Sequence, residues 1–163
     1  MERIASFTVN HLLLKPGIYV SRIDRDPVGA TAVTTFDLRL CAPNSEPVMN
    51  TAEMHTIEHL GATFLRNHPA WASQVVYFGP MGCRTGFYLV LFGERTSEEV
   101  LPLVRELFAF VRDFDGDIPG ASAQECGNHL DQNLPMARWL ATRYLERDLA
   151  RAAEEGRLVY PEA

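Results

Sequence analysis

Residues 50–68 read NTAEMHTIEHLGATFLRNH, and this stretch decides both the fold and the chemistry of the chain. Asn50 and Glu53 form a capping box, because the Asn50 side chain can accept from the third helical amide while the Glu53 carboxylate reaches back. Apolar residues then recur every three or four positions, which is the period of one helix face. The pattern predicts a helix over residues 51–68, ended by the proline that follows.

Two histidines lie on this predicted helix in the pattern His-x-x-Glu-His. His55 and His59 are four residues apart, so their imidazoles project from one side and can bind a single divalent metal ion. Glu58 stands directly before the second histidine, close enough to a bound metal to move protons. A solvated helix face is the alternative explanation. The candidates for a third ligand are Cys126, Cys83, His129, His11 and the acidic residues of the loop that begins at Asp113.

Length and composition predict a globular protein with one domain over residues 1–163. Hydrophobic residues make up 47% of the chain, which excludes intrinsic disorder. The formal net charge of −6 argues against nucleic acid as a partner, because phosphate-backbone binding needs a basic face. No apolar run approaches the roughly 20 residues of a membrane span, and no secretory signal is found, so we expect a cytoplasmic protein without a membrane partner.

The remaining segments predict an α+β fold. The predicted strands cover residues 17–24, 30–40, 74–78 and 86–93, and the first two form a hairpin. A second helix begins at the capping box of Thr96 and Glu99 and ends near Asp113, and a third begins at Asn133 and ends near Gly156. Elements in this order predict a mostly antiparallel sheet packed on one face by helices.

The three cysteines are odd in number and widely separated, which favours free thiols or metal ligands over a disulfide framework. Cys83 lies in a loop rich in glycine and proline, and Cys126 precedes a glycine. Both settings suit a positioned sulfur that reacts or binds a metal. Cys41 stands at a strand end, where we expect it to pack in the core.

Four motifs follow one another along the chain. They are FDLR at 36–39 with a Pro-Asn pair at 43–44, HTIEH at 55–59, PMGCRTG at 80–86 and ECGN at 125–128. Their order and spacing resemble those of the LuxS family, the S-ribosylhomocysteine lyases. The resemblance spans residues 6–143 and implies the LuxS fold, which is similar to that of certain metallopeptidases. Residues 145–163 carry no signature.

The resemblance implies the ligands and the chemistry. His55, His59 and Cys126 match the ligands of one divalent metal ion per subunit, natively iron, with zinc or cobalt as substitutes. Cys83 and Glu58 match the catalytic acid/base pair. The implied reaction cleaves the thioether of S-ribosyl-L-homocysteine to homocysteine and 4,5-dihydroxy-2,3-pentanedione. That diketone is the autoinducer-2 precursor, which links the reaction to quorum sensing and the activated methyl cycle.

The resemblance also implies a homodimer with active sites at the interface between subunits. The matched substrate-binding residues are Ser6, His11 and Arg39 for the ribose and Arg66 for the homocysteine moiety. We expect the cationic Arg84 and the metal to favour the thiolate form of Cys83, because positive charge lowers a thiol pKa.

Two departures from the family pattern suggest an alternative function. Thr35 stands where a lysine is usual, and Tyr77 and Phe78 stand where an acidic and a small aliphatic residue are usual. Loss of these charges removes charge-assisted contacts to the zwitterionic end of homocysteine. The alternative is therefore a LuxS-like protein with an altered substrate or a non-catalytic, ligand-binding or regulatory role.

A further alternative is an inverzincin-type metallopeptidase, because those enzymes share the His-x-x-Glu-His pattern. That function predicts a glutamate as third ligand, and the candidates are Glu98, Glu99 and Glu125. His129 follows Cys126 at Cys-x-x-His spacing and is a competing ligand. The acidic segment 113–117 is predicted to be a solvated turn, because it lacks the length and the bidentate glutamate of a calcium loop.

Overall fold

A four-stranded antiparallel sheet carries the helices in the computed structural model, which describes Ile4 and residues 7–161. The strands are β1 (Gly17–Arg25), β2 (Ala32–Arg39), β3 (Val75–Pro80) and β4 (Gly86–Phe92), and the α-helices are α1 (Thr51–Asn67), α2 (Ser97–Asp113) and α3 (Leu134–Arg143). The strand order across the sheet is β1-β2-β4-β3. The predicted α+β class with an antiparallel sheet is confirmed.

The predicted hairpin of β1 and β2 is present, with Ile18 opposite Leu38. The Asp26 carboxylate accepts from the Val28 amide at 3.0 Å and stabilises the connecting turn. A bulge in β1 between Val20 and Arg22 shifts the register. The bulge leaves Ser21 unpaired with β2, and this residue lines a cavity described below.

The sheet has an apolar face and a polar face. Phe36 and Leu38 of β2 are fully buried in the core beneath the helices. The alternation of a strand sends Asp37 and Arg39 to the opposite face, where they are nevertheless only 1% and 4% exposed. Segments near both chain ends cover this polar face, since the Arg157 guanidinium donates to the Pro16 carbonyl at 3.2 Å.

The first two helices begin as their capping boxes predict. The Glu53 carboxylate accepts from the Asn50 amide at 2.7 Å, and α1 ends at Asn67. In α2, Thr96 and Glu99 exchange hydrogen bonds of 3.3 and 2.8 Å. Within the described residues, no helix combines the length and the apolar character needed to cross a bilayer.

The third helix departs from the prediction. Its regular α-helical part ends at Arg143, and the chain continues as a π-helical turn (Tyr144–Asp148) and a 3-10 turn (Leu149–Arg151), so one helix reaching Gly156 is wrong. Long-range hydrogen bonds outweigh the helical periodicity of the sequence in this segment. The buried Tyr144 hydroxyl donates to the Gly17 carbonyl at 2.6 Å, and the buried Asp148 carboxylate accepts from Arg157 at 3.1 Å.

Gly61 tests the packing of α1 on the sheet. A Cβ at this position would overlap the ring of Phe78, which is buried and stacked on Phe87 at 5.2 Å. We expect Gly61→Ala to lower the free energy of unfolding by about 1 to 3 kcal/mol, because the tightly packed ring cannot move aside. Urea denaturation measures the change. The control is Gly116→Ala, whose Cβ would lie 3.4 Å from its nearest neighbour, and equal stability of both variants would contradict the packing.

Candidate active site

Helix α1 brings His55 and His59 together with Cys126 from the segment before α3. The two Nε2 atoms are 3.0 Å apart, and the Cys126 Sγ lies 3.4 Å from Nε2 of His55. Among the described residues, these three side chains form a group whose ligand atoms all lie within 4.8 Å of one another. The other candidates for the third ligand, His129, Cys83 and His11 among them, are not part of it.

Backbone carbonyls fix the protonation of both imidazoles. The Nδ1 atom of His59 lies 2.7 Å from the Pro119 oxygen, and the Nδ1 atom of His55 lies 2.9 Å from the Asp131 oxygen. A carbonyl can only accept, so each Nδ1 carries the proton and each Nε2 presents a bare lone pair. Two such lone pairs and a sulfur at these distances repel one another unless a cation lies between them. The donor set therefore fits a divalent metal ion that accepts nitrogen and sulfur ligands.

The segment that supplies these carbonyls is shaped to reach the helix. Gly120 has a φ of +70°, and a Cβ there would lie 3.3 Å from Nδ1 of His59. A glycine therefore allows the Pro119 carbonyl to approach the imidazole. The Asn128 amide donates to the Cys126 sulfur at 3.4 Å, which helps to fix the position of that side chain. The acidic residues that precede this segment, Asp113, Asp115 and Asp117, are exposed.

We call the cavity beside this group the metal pocket; it has a volume of about 530 Å³ and is lined by His55, Glu58, His59, Gly120 and Cys126, among others. Glu58 is half-buried there, so its carboxylate faces the same space as the three ligand atoms. Glu125 also lines the pocket but is not part of the ligand group, and neither are Glu98 and Glu99. The third position is thus held by a sulfur, unlike the glutamate that the peptidase alternative predicts.

A second cavity, the thiol pocket, lies on the polar face of the sheet. It has a volume of about 180 Å³, and its lining includes His11, Asp37, Arg39, Cys83 and Tyr160. Cys83 stands in the loop between β3 and β4, with its sulfur 3.1 Å from the Thr85 hydroxyl. Arg39 donates to the same sulfur at 3.7 Å and to the Thr85 oxygen at 2.5 Å.

These contacts change the acidity of the Cys83 thiol. Partial desolvation in the pocket raises its pKa, but hydrogen bonds from the Thr85 side chain and amide and the charge of Arg39 outweigh that effect. The net result is a lowered pKa and a larger thiolate fraction at neutral pH. The expectation named Arg84, but the cation that contacts the sulfur is Arg39, while the Arg84 side chain is exposed in the loop.

A buried ion pair positions Arg39. Its Nη2 donates to the Asp37 carboxylate at 2.5 Å, and the Tyr160 hydroxyl donates to the same oxygen at 2.9 Å. Sequence reasoning missed Asp37, Thr85 and Tyr160 as parts of the site. The strand alternation of β2 signals that Asp37 shares a face with Arg39, but no local pattern points to Tyr160.

His11 and Arg39 line the thiol pocket, but the same is not shown for the other two predicted substrate-binding residues. Ser6 lies outside the described residues, so its role stays a prediction. Arg66 is exposed at the end of α1 and donates to the carbonyls of Val75 and Val76 at 2.6 and 2.8 Å. It lines neither pocket of its own chain.

Two of the three residues that depart from the family pattern, Thr35 and Tyr77, lie in one row on the polar face of the sheet. Thr35 and Tyr77 both pair with Val90 of β4, and Thr35 is buried while Tyr77 is exposed. Phe78 points to the opposite face and packs in the core. Neither Thr35 nor Tyr77 lines the metal pocket or the thiol pocket.

The two pockets of one chain are separate. The metal pocket lies in the helical layer, while the thiol pocket lies across the sheet from it, on the polar face. Among the residues that the structure describes, none lines both pockets. The sulfur of Cys83 and the carboxylate of Glu58 therefore face different spaces within one chain.

Comparison with known proteins agrees with this geometry. The profile of the S-ribosylhomocysteinase (LuxS) family matches residues 4–155. The chain belongs to the LuxS family. Its LuxS relatives include proteins named S-ribosylhomocysteine lyase from Clostridium acetobutylicum, 60% identical, and from Finegoldia magna, 55% identical, each over 99% of this chain and 100% of the relative. A third, from Porphyromonas gingivalis, is 51% identical over the same shares.

The ligand group of this LuxS chain is tested by measuring bound metal. We expect Cys126→Ala to reduce bound metal from about one ion per chain to nearly none, because two imidazoles alone leave the site incomplete. His129→Ala is the matched control, since this residue is near in sequence but outside the group. Elemental analysis after dialysis gives the stoichiometry. Equal metal loss in both variants, or in neither, would contradict the assignment.

Proposed function

We propose that this chain is a metal-dependent S-ribosylhomocysteine lyase that releases homocysteine and 4,5-dihydroxy-2,3-pentanedione. One observation carries the proposal. The His55, His59 and Cys126 ligand atoms lie within 4.8 Å of one another beside Glu58, in a chain 60% identical to a relative named S-ribosylhomocysteine lyase. The substrate is a small molecule, which suits cavities of this size.

The three ligands hold one divalent metal ion in this proposal, ferrous iron natively, with zinc or cobalt as substitutes. Such an ion, when bound, supplies Lewis-acid stabilisation to a sugar oxygen. Three protein ligands leave a coordination position open, as a catalytic site requires. Both carbonyl contacts to the imidazoles keep each Nε2 free for this role.

Cys83 and Glu58 perform the proton transfers in this proposal. A thioether resists attack by water, so the carbonyl group first moves along the ribose by proton transfers between neighbouring carbon atoms. Once the sulfur is bonded to the carbon β to the carbonyl, loss of a proton from the α-carbon expels homocysteine as its thiolate, which then takes up a proton. The lowered pKa of Cys83 makes its thiolate available as a base, and Glu58 moves protons from the side of the metal pocket.

Both residues can act on one substrate only if two chains form the site. We therefore propose a homodimer in which the thiol pocket of one subunit faces the metal pocket of the other. Two exposed apolar residues beside these sites in sequence support this arrangement. Leu12, 82% exposed, follows His11 of the thiol pocket, and Leu130, 84% exposed, precedes Asp131, whose carbonyl contacts His55. A twofold axis would form both composite sites at once. We include the substrate contacts of Arg66 and Ser6 in this proposal.

The cytoplasm is the proposed location. Cys83 acts as a thiolate and Cys126 as a metal ligand, and both functions require reduced sulfur. Cys41, Cys83 and Cys126 are all free thiols in the structure. A reducing compartment preserves them.

Homocysteine release tests the reaction. We expect the wild-type protein to release homocysteine from S-ribosylhomocysteine, detected with a thiol reagent. Cys83→Ala should reduce turnover at least about 1000-fold, because the base is lost, while metal content stays unchanged. Retained turnover would refute the role of Cys83. Peptide cleavage without homocysteine release would favour the peptidase, and binding without product would favour a regulatory role.

Mixing two inactive variants tests the composite site. Cys83→Ala and His59→Ala damage different pockets, so a mixed dimer retains one intact site and one doubly damaged site. Coexpression should restore about one quarter of wild-type turnover, as random pairing of the two chains predicts. The control is coexpression of His55→Ala with His59→Ala, which damage the same pocket. No recovery in the first mixture would contradict sites shared between subunits.

A further inference from the structure

Tyr160 reaches the thiol pocket from the segment near the end of the chain. Its ring stacks on Tyr19 of β1, with centroids 4.8 Å apart and an angle of 8° between the planes. Its hydroxyl donates to the Asp37 carboxylate at 2.9 Å. The ring also lines the cavity that contains Cys83. No described contact joins Tyr160 directly to the Cys83 sulfur, so any effect on the thiol must pass through other groups.

The segment around Tyr160 is held firmly in place. The Ile18 amide donates to the Arg157 carbonyl at 3.0 Å, which ties this segment to β1. A Cβ at Gly17 would overlap that same carbonyl oxygen, so the close approach depends on glycine. The Arg157 guanidinium is buried and donates to Asp148 at 3.1 Å. The position of Tyr160 therefore follows from several bonds within the fold.

Asp37 connects Tyr160 to Arg39. One carboxylate oxygen of Asp37 accepts from both the Tyr160 hydroxyl and the Arg39 Nη2. Among the described residues, the other oxygen, Oδ1, is buried without a hydrogen-bond partner, and the same holds for Nε of Arg39. The buried pair therefore has few bonds that fix its geometry. Removing the Tyr160 donor should free the carboxylate to rotate about its own axis, and the guanidinium paired with it would turn with it.

Arg39 connects this pair to the thiol. Its Nη1 donates to the Thr85 oxygen at 2.5 Å and to the Cys83 sulfur at 3.7 Å. The contacts run from Tyr160 through Asp37 and Arg39 to Cys83 without a gap. A rotation of the guanidinium together with the Asp37 carboxylate would lengthen its contact with the sulfur and weaken the stabilisation of the thiolate.

We propose that Tyr160 is a positioning residue for the Cys83 thiolate, acting through the buried pair of Asp37 and Arg39. The thiol and its contacts exist whether or not the chain is a lyase, and only the consequence for turnover rests on the proposed function. The hydroxyl is the essential group, because the ring alone provides stacking but no donor.

The hydroxyl keeps its proton under ordinary conditions. Burial and the neighbouring charge of Asp37 raise the pKa of Tyr160 well above its usual value, so the group remains a donor across the physiological range. The titratable and charged groups that face Cys83 in its pockets are His11, Asp37, Arg39, Glu46, Tyr88 and Tyr160. A single substitution at Tyr160 leaves the other five groups in place.

Thiol alkylation as a function of pH tests the proposal. The metal-loaded protein is treated with iodoacetamide, and modification of Cys83 is followed by mass spectrometry of the peptide that contains it. We expect Tyr160→Phe to move the midpoint of the pH profile upward by about half a pH unit and to slow modification at pH 7 about threefold, as loss of one hydrogen bond in the network predicts. The sign follows from a less stabilised thiolate, which raises the thiol pKa.

Tyr19→Phe is the matched control. Its hydroxyl belongs to the same stacked pair but donates to the Lys15 carbonyl at 2.8 Å, away from Asp37. This variant should leave the pH profile of Cys83 unchanged, and thermal unfolding should show that both variants remain folded. A profile for Tyr160→Phe that overlays the wild type, or an equal shift in Tyr19→Phe, would overturn the proposal.

Turnover measured on the same samples separates this proposal from the lyase assignment. A shifted alkylation profile together with an equally shifted pH profile of turnover supports both. If Tyr160→Phe shifts the alkylation profile but the wild-type protein releases no homocysteine, the positioning role is supported and the lyase is refuted. An active lyase whose Cys83 profile is the same in Tyr160→Phe refutes the positioning role alone.

Discussion

Two backbone carbonyls determine what the helix α1 can do. The oxygens of Pro119 and Asp131 hold the Nδ1 protons of His59 and His55, which turns both Nε2 lone pairs toward Cys126. Without those contacts either imidazole could rotate or change its tautomer, and the helix would present only a polar face to water. The irregular segment before α3 therefore organises this group of side chains. It supplies the Cys126 sulfur and the two carbonyl groups that contact the imidazoles.

The sheet separates Cys83 from Glu58, the two groups proposed to transfer protons, and gives each of them a different environment. Its helical side provides ligands and a carboxylate, and its polar side provides a thiol whose pKa is lowered by Thr85 and Arg39. In the proposed dimer, this separation would give each subunit two incomplete half-sites. Pairing of subunits would then be a requirement for the chemistry as well as a route to stability, because neither half-site holds both the metal ligands and the thiol.

Burial of Asp37 and Arg39 on the polar face is costly, because a charged pair loses its hydration and regains only part of that free energy from mutual attraction. A pair of apolar residues at these positions would avoid this cost to the free energy of folding. The pair is instead connected to Thr85 and Cys83 on one side and to Tyr160 on the other. We infer that its value lies in directing a guanidinium at the thiol, which an apolar pair cannot do.

The amino-acid sequence by itself determined the elements and half of the site. Periodicity and capping boxes predicted the strands and the starts of the helices, and helical spacing placed His55 beside His59. The folded chain was needed to show that Cys126 lies beside the two histidines, that Arg39 contacts Cys83, and that the last helix stops early. The physical reason is distance along the chain: local hydrogen bonds and side-chain periods act within a few residues. Contacts between residues 71 and 123 positions apart, such as Cys126 with His55 and Tyr160 with Asp37, depend on how the whole sheet and its covering segments pack.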